Sequence, residues 1–170
     1  YSMTQALMIY RDAARLPYVR LSAHAVACMI KNFRDQGGWC GLSAEFLRDK
    51  GVPSVQYWVE KSMSRQYDKP ETWANAALHK VTEEWVDLTK SVYDQNLTKR
   101  QLATCGFLNQ PAAIDYNEWS HSINFLRWVR IERNSWGPLI LNSWPHWGRY
   151  GLAVMRQGWT VDGAVALRVA

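Results

Sequence analysis

The sequence is poor in cysteine and lacks any cysteine pattern typical of a disulfide framework or a metal site. Its 170 residues include three cysteines, an odd number, and no two of them are spaced as Cys-x-x-Cys. Disulfide frameworks and zinc sites need paired or clustered cysteines. We therefore predict neither, and expect a reduced, intracellular chain. Cys28 and Cys105 lie on apolar helical faces, which predicts buried structural thiols.

Long apolar runs are also missing. No stretch approaches the roughly twenty apolar residues that are needed to cross a bilayer, and no basic-apolar-small signal segment opens the sequence. We expect no membrane partner. The first residue is Tyr1 rather than Met, and a helical pattern follows at once. This predicts a mature fragment, or the ordered part of something longer.

Blocks of like charge are absent as well. The formal net charge is +5, and basic residues are spread along the chain with acidic residues between them. Such diffuse basicity fits solubility or an acidic neighbour and argues against a dedicated nucleic-acid site. Hydrophobic residues make up 48% and charged residues 21% of the chain, which excludes a disordered chain and predicts one globular unit.

Tryptophan is the residue in excess. Ten tryptophans in 170 residues favour a fold that buries large flat rings at lobe interfaces or lines a groove with them. A tryptophan-rich core would give the same count, so the number alone leaves both arrangements open.

Apolar periodicity separates a helical first part from a strand-rich second part. Helices are predicted over Thr4–Leu16, from Ser22 to the turn at Gly37-Gly38, over Ala44–Lys50 with Ser43 as N-cap, over Pro70–Leu78 and over Leu97–Leu108. The segment Val52–Met63 is predicted to be an extended surface connection, and Val81–Leu88 a strand.

From Pro111 onward the pattern favours strands. They are predicted over Ala112–Tyr116, Ser120–Ile131, Pro138–Ser143 and Gly151–Arg156, with turns at 134–137 and 145–149. The sequence therefore predicts an α+β fold in a single domain over 1–170, with a mainly helical lobe at 1–108 and an antiparallel β lobe at 109–170.

The most specific motif is an apolar strand that ends in a polar box. Leu139-Ile140-Leu141 leads directly into Asn142-Ser143-Trp144, with Trp147-Gly148 and then Gly151 after it. His121 lies one predicted strand earlier. This pattern is typical of a strand that delivers a polar side chain to the rim of a sheet and then turns back.

The order His, then Asn-Ser-Trp and its glycines, resembles the second half of a papain-like cysteine peptidase. Other pieces match that family in the correct order over nearly the whole chain: Leu21-Ser22 to Cys28, Gly37-Gly38, Ala44 to Val52, Tyr57-Trp58 and Leu108-Asn109-Gln110-Pro111. The turns and the closing segment 162–165 are similar to papain-like proteins that bacteriophages of actinobacteria encode. The resemblance implies a two-lobe papain-like fold, and a location in the host cytoplasm or in a virion.

The resemblance also implies roles for three residues. A thiol peptidase needs a thiolate, an imidazolium beside it and a third group that holds the ring. His121 would be the imidazole, the amide oxygen of Asn142 would accept its ring N–H, and Trp144 would cover that bond from water. No metal or cofactor is implied. As alternatives, His121 is a sheet histidine, Asn142 a strand-end turn residue with Asn134 as its rival, and Trp144 a core residue.

The nucleophile is not visible in the chain. If Tyr1-Ser2 corresponds to the Phe-Ser that follows the family's Cys-Trp-Ala, the catalytic cysteine and the oxyanion glutamine would lie just upstream of Tyr1. A competing register aligns 35–46 with the family's Cys-Gly-x-Cys segment and gives Ser43 the nucleophile's place, but it leaves the first helix unexplained. Pro145 stands where the family usually has Gly, which predicts a reshaped loop.

Three functions remain open. The first is a cysteine endopeptidase that holds an extended peptide in an aromatic-lined groove between the lobes. The second is a catalytically inactive papain-fold structural or binding protein, such as a phage virion component that contacts other virion proteins. The third, which the Asn-Ser-Trp box does not favour, is a peptidoglycan amidase. A Cys-Trp-Ala directly upstream of Tyr1 would favour the first, and any other residue there the second.

Overall fold

A computed structural model describes residues 1–34, 36–80, 84–88, 94–144, 146–156 and 161–167. Helices come first along the chain and an antiparallel sheet follows, so the predicted α+β pattern is confirmed. Two compact units are present, one consisting mainly of Met3–Trp85 and the other mainly of Val86–Ala166.

The described part of the first unit contains four α-helices. They are α1 (Ser2–Ala13), α2 (Ala23–Ile30), α3 (Cys40–Asp49) and α4 (Pro70–Ala76), and a 3-10 turn over Ala77–His79 continues the last. The helix α1 forms because Met3, Ala6 and Leu7, spaced for one helical face, are all buried. The helix α4 begins with Pro70, whose fixed φ and missing N–H suit a first helical position.

Two helix boundaries differ from the prediction by four residues or more. The helix α2 ends at Ile30, before the glycine turn, because Asn32 and Phe33 adopt left-handed φ values of 48° and 61°. The helix α3 begins at Cys40 with Trp39 as its N-cap, so Ser43 lies inside the helix and does not cap it.

The prediction that Val52–Met63 runs over the surface is wrong for Trp58. Trp58 is fully buried and, with Ala25 and Cys28, forms the centre of an apolar cluster in the first unit. Its indole N–H donates to the carbonyl oxygen of Ser62 at 3.0 Å, which satisfies the one polar group of the ring. This tryptophan therefore belongs to the core.

The second unit carries α5 (Gln95–Phe107) and most of a six-stranded sheet. The strands are β1 (Trp85–Asp87), β2 (Ala112–Tyr116), β3 (His121–Glu132), β4 (Ser135–Leu141), β5 (Leu152–Val154) and β6 (Gly163–Leu167), in the order β1-β6-β2-β3-β4-β5. The Asp94 carboxylate caps α5 by accepting from the backbone N–H groups of Asn96 and Leu97.

Three strand predictions are corrected. The strand β4 begins at Ser135 rather than Pro138, because Asn134 alone takes the left-handed turn position with φ of 66°. The strand β6, absent from the prediction, pairs antiparallel with β2. Of the strand predicted over Val81–Leu88, only Trp85–Asp87 is observed, and 81–83 lie outside the described residues.

The core of the second unit lies between α5 and the sheet. Leu102 and Cys105 of α5 join Ile114, Phe125 and Ile140 in one buried cluster. The register pairs His121 with Tyr116, so β3 begins where β2 ends, and a rigid sheet sets the position of His121. Among the described helices, none has the length and hydropathy of a membrane span.

Candidate active site

His121 and Asn142 meet at one edge of the sheet. His121 is the first residue of β3, and Asn142 directly follows β4, whose Leu141 pairs with Asn124. Because the two strands are antiparallel neighbours, the start of one lies beside the end of the other. The ring nitrogen Nε2 of His121 lies 2.8 Å from Oδ1 of Asn142.

A second donor fixes which way this hydrogen bond runs. The backbone N–H of Trp144 donates to the same Asn142 oxygen at 3.0 Å. A backbone N–H can only donate, so the Asn142 atom between the two groups is the amide oxygen. Nε2 of His121 must then carry the hydrogen, which leaves Nδ1 of the neutral ring as a proton acceptor.

Trp144 covers this hydrogen bond with its ring. The rings of His121 and Trp144 stack with centroids 4.3 Å apart and planes 22° from parallel. Asn142 is only 3% exposed beneath them, while Trp144 itself is 43% exposed. Removing water strengthens a hydrogen bond and fixes its geometry. The arrangement therefore holds the His121 ring in one orientation and one tautomer.

A row of rings extends from Trp144 toward the core. Trp119 lies 6.4 Å from Trp144 and 4.6 Å from Tyr116, measured between ring centroids. Burial, followed by the negative charge of Asp162, raises the pKa of the Tyr116 phenol, whose hydroxyl donates to the sulfur of Met155. Sequence reasoning did not single out Trp119, although its position two residues before His121 is a usable signal.

The chain reaches His121 through a fixed turn. A 3-10 turn over Asn117–Trp119 ends at Ser120, which is left-handed with φ of 48°. The turn is held because the backbone N–H of Asn117 donates to the carboxylate of Asp162 at 2.7 Å. Polar anchoring of this kind limits how far the first residue of β3 can move.

Gly151 fixes the backbone of Asn142. The backbone N–H of Asn142 donates to the carbonyl oxygen of Gly151 at 2.8 Å. Gly151 has φ of +83°, and a Cβ built on it would lie 2.5 Å from the carbonyl oxygen of Asn142. Only glycine allows both the conformation and the close approach. The glycine after the Asn-Ser-Trp box is therefore explained by the backbone pairing that fixes Asn142.

The loop between β4 and β5 lines a cavity of about 440 Å³ beside the pair. Trp144, Trp147 and Tyr150 contribute rings to its lining, and His146 contributes an imidazole. The volume is enough for a side chain of a peptide. Pro145, where we predicted a reshaped loop, lies outside the described residues.

The rival candidates lie elsewhere. Asn134, the head of the first Asn-Ser-Trp, sits exposed in the turn between β3 and β4, so the structure brings Asn142 rather than Asn134 to His121. Cys28, Cys40 and Cys105 are buried and are not joined in a disulfide. Burial raises the pKa of Cys28 and of Cys105, which disfavours the reactive thiolate. Among the described residues, no group of three His, Cys, Asp or Glu side chains could hold a metal ion.

Several solved structures of cysteine proteases are similar to the chain. Xylellain from Xylella fastidiosa matches with a TM-score of 0.72 and 13% identity over 99% of this chain and 78% of that one. The bromelain protease from Ananas comosus, in complex with the E64 inhibitor, gives 0.67 and 15% over 99% and 88%. Digestive procathepsin L 3 of Tenebrio molitor gives 0.63 and 14% over 96% and 61%, so the chain spans less than two thirds of it.

No protein-family model matches the sequence, and no curated protein matches it. At these identities the likeness to solved structures concerns the fold alone. The chain has the papain-like α+β fold that its sequence predicts, with helices in its first part and an antiparallel sheet in its second.

Proposed function

We propose that the chain belongs to a papain-like cysteine peptidase and supplies the histidine and the asparagine of a Cys-His-Asn site. The observation that carries the proposal is the 2.8 Å contact between Nε2 of His121 and Oδ1 of Asn142, stacked under Trp144. A histidine that is merely satisfied within a sheet needs only one hydrogen-bond partner. The His121 ring has such a partner on one nitrogen and, in addition, the Trp144 ring stacked on one face. That arrangement supports a base whose other nitrogen does the chemistry.

The reaction follows from the tautomer. Nδ1 of His121 takes the proton of a cysteine thiol, and the resulting thiolate attacks the carbonyl carbon of a peptide bond. The imidazolium then gives the proton to the leaving amine as the C–N bond breaks. Water hydrolyses the thioester that remains, with the same nitrogen as general base. Asn142 acts as a positioning residue throughout, because it keeps the hydrogen on Nε2.

The nucleophile is proposed to be a cysteine just upstream of Tyr1, where the resemblance puts the family's Cys-Trp-Ala. The visible thiols do not suit the role, since all three are buried and the pKa values of Cys28 and Cys105 are raised. A nucleophilic cysteine instead needs access and a lowered pKa. Ser43, the alternative nucleophile, lies inside α3.

The substrate is proposed to be a peptide or protein in extended form. The exposed ring of Trp144 beside His121 offers apolar contact to such a chain, and the cavity of the β4–β5 loop can take one of its side chains. The bacteriophage origin, and the cytoplasmic or virion setting with it, rest on the sequence resemblance alone and stay predictions.

The experiment is to express the natural polypeptide with the residues that precede Tyr1 and to measure hydrolysis of fluorogenic peptides and labelling by E64. His121→Ala should abolish both, and Asn134→Ala, in the exposed β3–β4 turn of the same unit, should change neither. The proposal fails if the polypeptide has no cysteine in the expected upstream position, or if a cysteine stands there and His121→Ala leaves hydrolysis unchanged. In the first of these cases the inactive structural protein would be the better interpretation, and in the second a peptidase that does not use His121.

A further inference from the structure

Most of the net positive charge of the chain falls in the segment that carries the strands β3 to β5, although basic residues as such are spread along the chain. Between Trp119 and Val161 the sequence has five arginines, one glutamate, no lysine and no aspartate. The formal charge of this segment is +4, out of +5 for the whole chain. The charges of the remaining residues nearly cancel, so this segment carries most of the net positive charge.

Two of these arginines lie at the far end of the β3–β4 hairpin. Arg130 lies on β3, Arg133 lies in the turn that follows, and both are exposed. Arg127 is on the opposite face of β3 from Arg130, because the pairing between them is regular and they are three residues apart. The register sets Arg130 opposite Trp136 of β4, which is 59% exposed. We call this group, Arg130, Arg133 and Trp136, the arginine hairpin.

No carboxylate of the described chain neutralises the arginine hairpin. The ion pairs found among the described residues join Arg20 to Glu60, Arg48 to Asp49 and Lys69 to Glu71, all in the first unit. Arg130 donates from Nε to the carbonyl oxygen of Glu132 at 3.3 Å, an arrangement that orients the guanidinium without cancelling its charge. The positive field at this end is therefore directed at solvent.

The arginine hairpin is well separated from the His121–Asn142 pair. Arg130 follows His121 by nine residues on one strand, which is about 30 Å at roughly 3.3 Å per residue. Asp115 and Asp162 lie at the His121 end of the sheet. The end of the sheet near the pair thus holds carboxylates together with Arg149 of the β4–β5 loop, whereas Arg130 and Arg133 lie at the far end.

We propose that the arginine hairpin binds an acidic segment of the protein substrate, as a docking site remote from the bond that is cut. The inference rests on the proposed function for the identity of the partner as a substrate. Guanidinium groups match carboxylates in bidentate geometry and bind them without losing their own charge. A segment rich in Asp and Glu would meet two exposed guanidinium groups and one apolar ring.

An acidic polypeptide suits this surface better than single-stranded nucleic acid. Sites for single strands stack successive bases on several aromatic rings along a basic groove. Within the described part of the arginine hairpin, Trp136 is the single exposed ring. The arginines are also set on a narrow two-stranded ribbon rather than along a groove.

The test measures binding of a fluorescein-labelled deca-glutamate peptide to the natural polypeptide at 50 mM salt by fluorescence anisotropy. We expect R130Q/R133Q to weaken binding at least fivefold, whereas R15Q/R34Q, which removes two exposed arginines of the first unit, changes it less than twofold. Glu132→Gln removes the one carboxylate of the segment and should tighten binding. Thermal melts verify that each variant is folded.

If R130Q/R133Q and R15Q/R34Q lost the same affinity for deca-glutamate, the net charge of the protein would explain the binding, and the proposal would be overturned. Tighter binding of a 15-nucleotide single-stranded DNA than of deca-glutamate would overturn it in favour of nucleic acid. Attaching an acidic segment to a cleavable peptide should lower KM in the wild type and not in R130Q/R133Q, with no change for the uncharged peptide. Binding of deca-glutamate does not require catalysis. If an inactive chain still bound deca-glutamate through the arginine hairpin, the result would contradict the proposed function but not the acidic docking site.

Discussion

Trp144 stacks on His121 with ring centroids 4.3 Å apart, and its backbone N–H also donates to the Asn142 oxygen that accepts from the same histidine. One residue therefore fixes the His121 ring twice, through its side chain and through its main chain. The side chain restrains the plane of the ring, while the main chain fixes the orientation of the Asn142 amide. The position and the tautomer of the His121 ring are thus both set by Asn142 and Trp144, which lie two residues apart in the sequence.

Asn142→Ala should lower kcat/KM by roughly 10-fold to 100-fold, a part of the 10²–10⁴-fold that a positioned general base contributes. The alanine cannot accept the hydrogen of Nε2, so the ring loses its preference for the productive tautomer. Nitrogen-15 NMR of the imidazole should show one tautomer in the wild type and a mixture in the variant.

Asn134→Ala is the matched control for this change. It alters the head of the same tripeptide in the exposed β3–β4 turn and should leave both the rate and the tautomer unchanged. A wild-type tautomer in Asn142→Ala would contradict the positioning role, even if the rate fell.

Trp144→Ala should reduce kcat/KM about tenfold by admitting water to the bond between His121 and Asn142, because a hydrogen bond is weaker in a high dielectric. The backbone N–H remains, so the tautomer should persist while the rate falls. Trp136→Ala removes a ring from the other Asn-Ser-Trp and should not affect hydrolysis of a short uncharged peptide. A full rate in Trp144→Ala would show that the stack does not shield the pair.

Gly151→Ala should destabilise the protein by roughly 1–3 kcal/mol, the usual cost of a strained backbone conformation. The new Cβ would also approach the carbonyl oxygen of Asn142 to 2.5 Å, so the loop must shift and activity should fall as well. Urea unfolding measures the change. Gly37→Ala meets no atom within 4 Å and should change the free energy of unfolding by less than about 0.5 kcal/mol. Equal effects would show that the left-handed turn at Gly151 is not required.

The fold could be predicted from sequence wherever periodicity was long and uninterrupted. The limits of β2 were predicted without error, and α5 within two residues at its start and one at its end. Predictions failed where tertiary packing decided the outcome. Trp58 lies in a segment without periodicity and is buried by helices distant in sequence, and β6 becomes a strand because β2 is there to pair with it.

For the candidate site, the residue types and the order of their strands could be predicted from the sequence, but the hydrogen bonds between the residues could not. The apolar run before Asn142 indicated a strand end, and antiparallel pairing then brings that end to His121. The tautomer depends on the backbone N–H of Trp144, which carries no sequence signal of its own. The row of rings depends on Trp119, whose position two residues before His121 was a signal that the prediction did not use. The local excess of charge was missed because its distribution was considered along the whole chain rather than strand by strand.

The visible cysteines should react slowly in the folded protein. Cys28, Cys40 and Cys105 are buried, and burial raises the pKa values of Cys28 and Cys105, so little thiolate is present at neutral pH. With Ellman's reagent at pH 7, we expect them to react at least tenfold more slowly in the native chain than in urea. In the polypeptide extended upstream, one additional thiol should react rapidly, also at pH 5. A fast thiol that survives removal of the upstream cysteine would contradict this assignment.

Acid should destabilise the protein through His79. This side chain is 5% exposed, its Nδ1 lies 3.1 Å from the carbonyl oxygen of Val52, and burial, followed by the positive charge of Arg11, lowers its pKa. The unfolded chain therefore binds a proton more readily below pH 6.5, and stability falls as the pH drops from 6.5 toward the folded pKa. Within that window each pH unit changes the free energy of unfolding by at most about 1.4 kcal/mol. Urea unfolding at pH 7 and pH 5 should show this loss in the wild type and in His146→Gln, but a smaller loss in His79→Gln. An equal loss in His79→Gln would assign the acid sensitivity to another group.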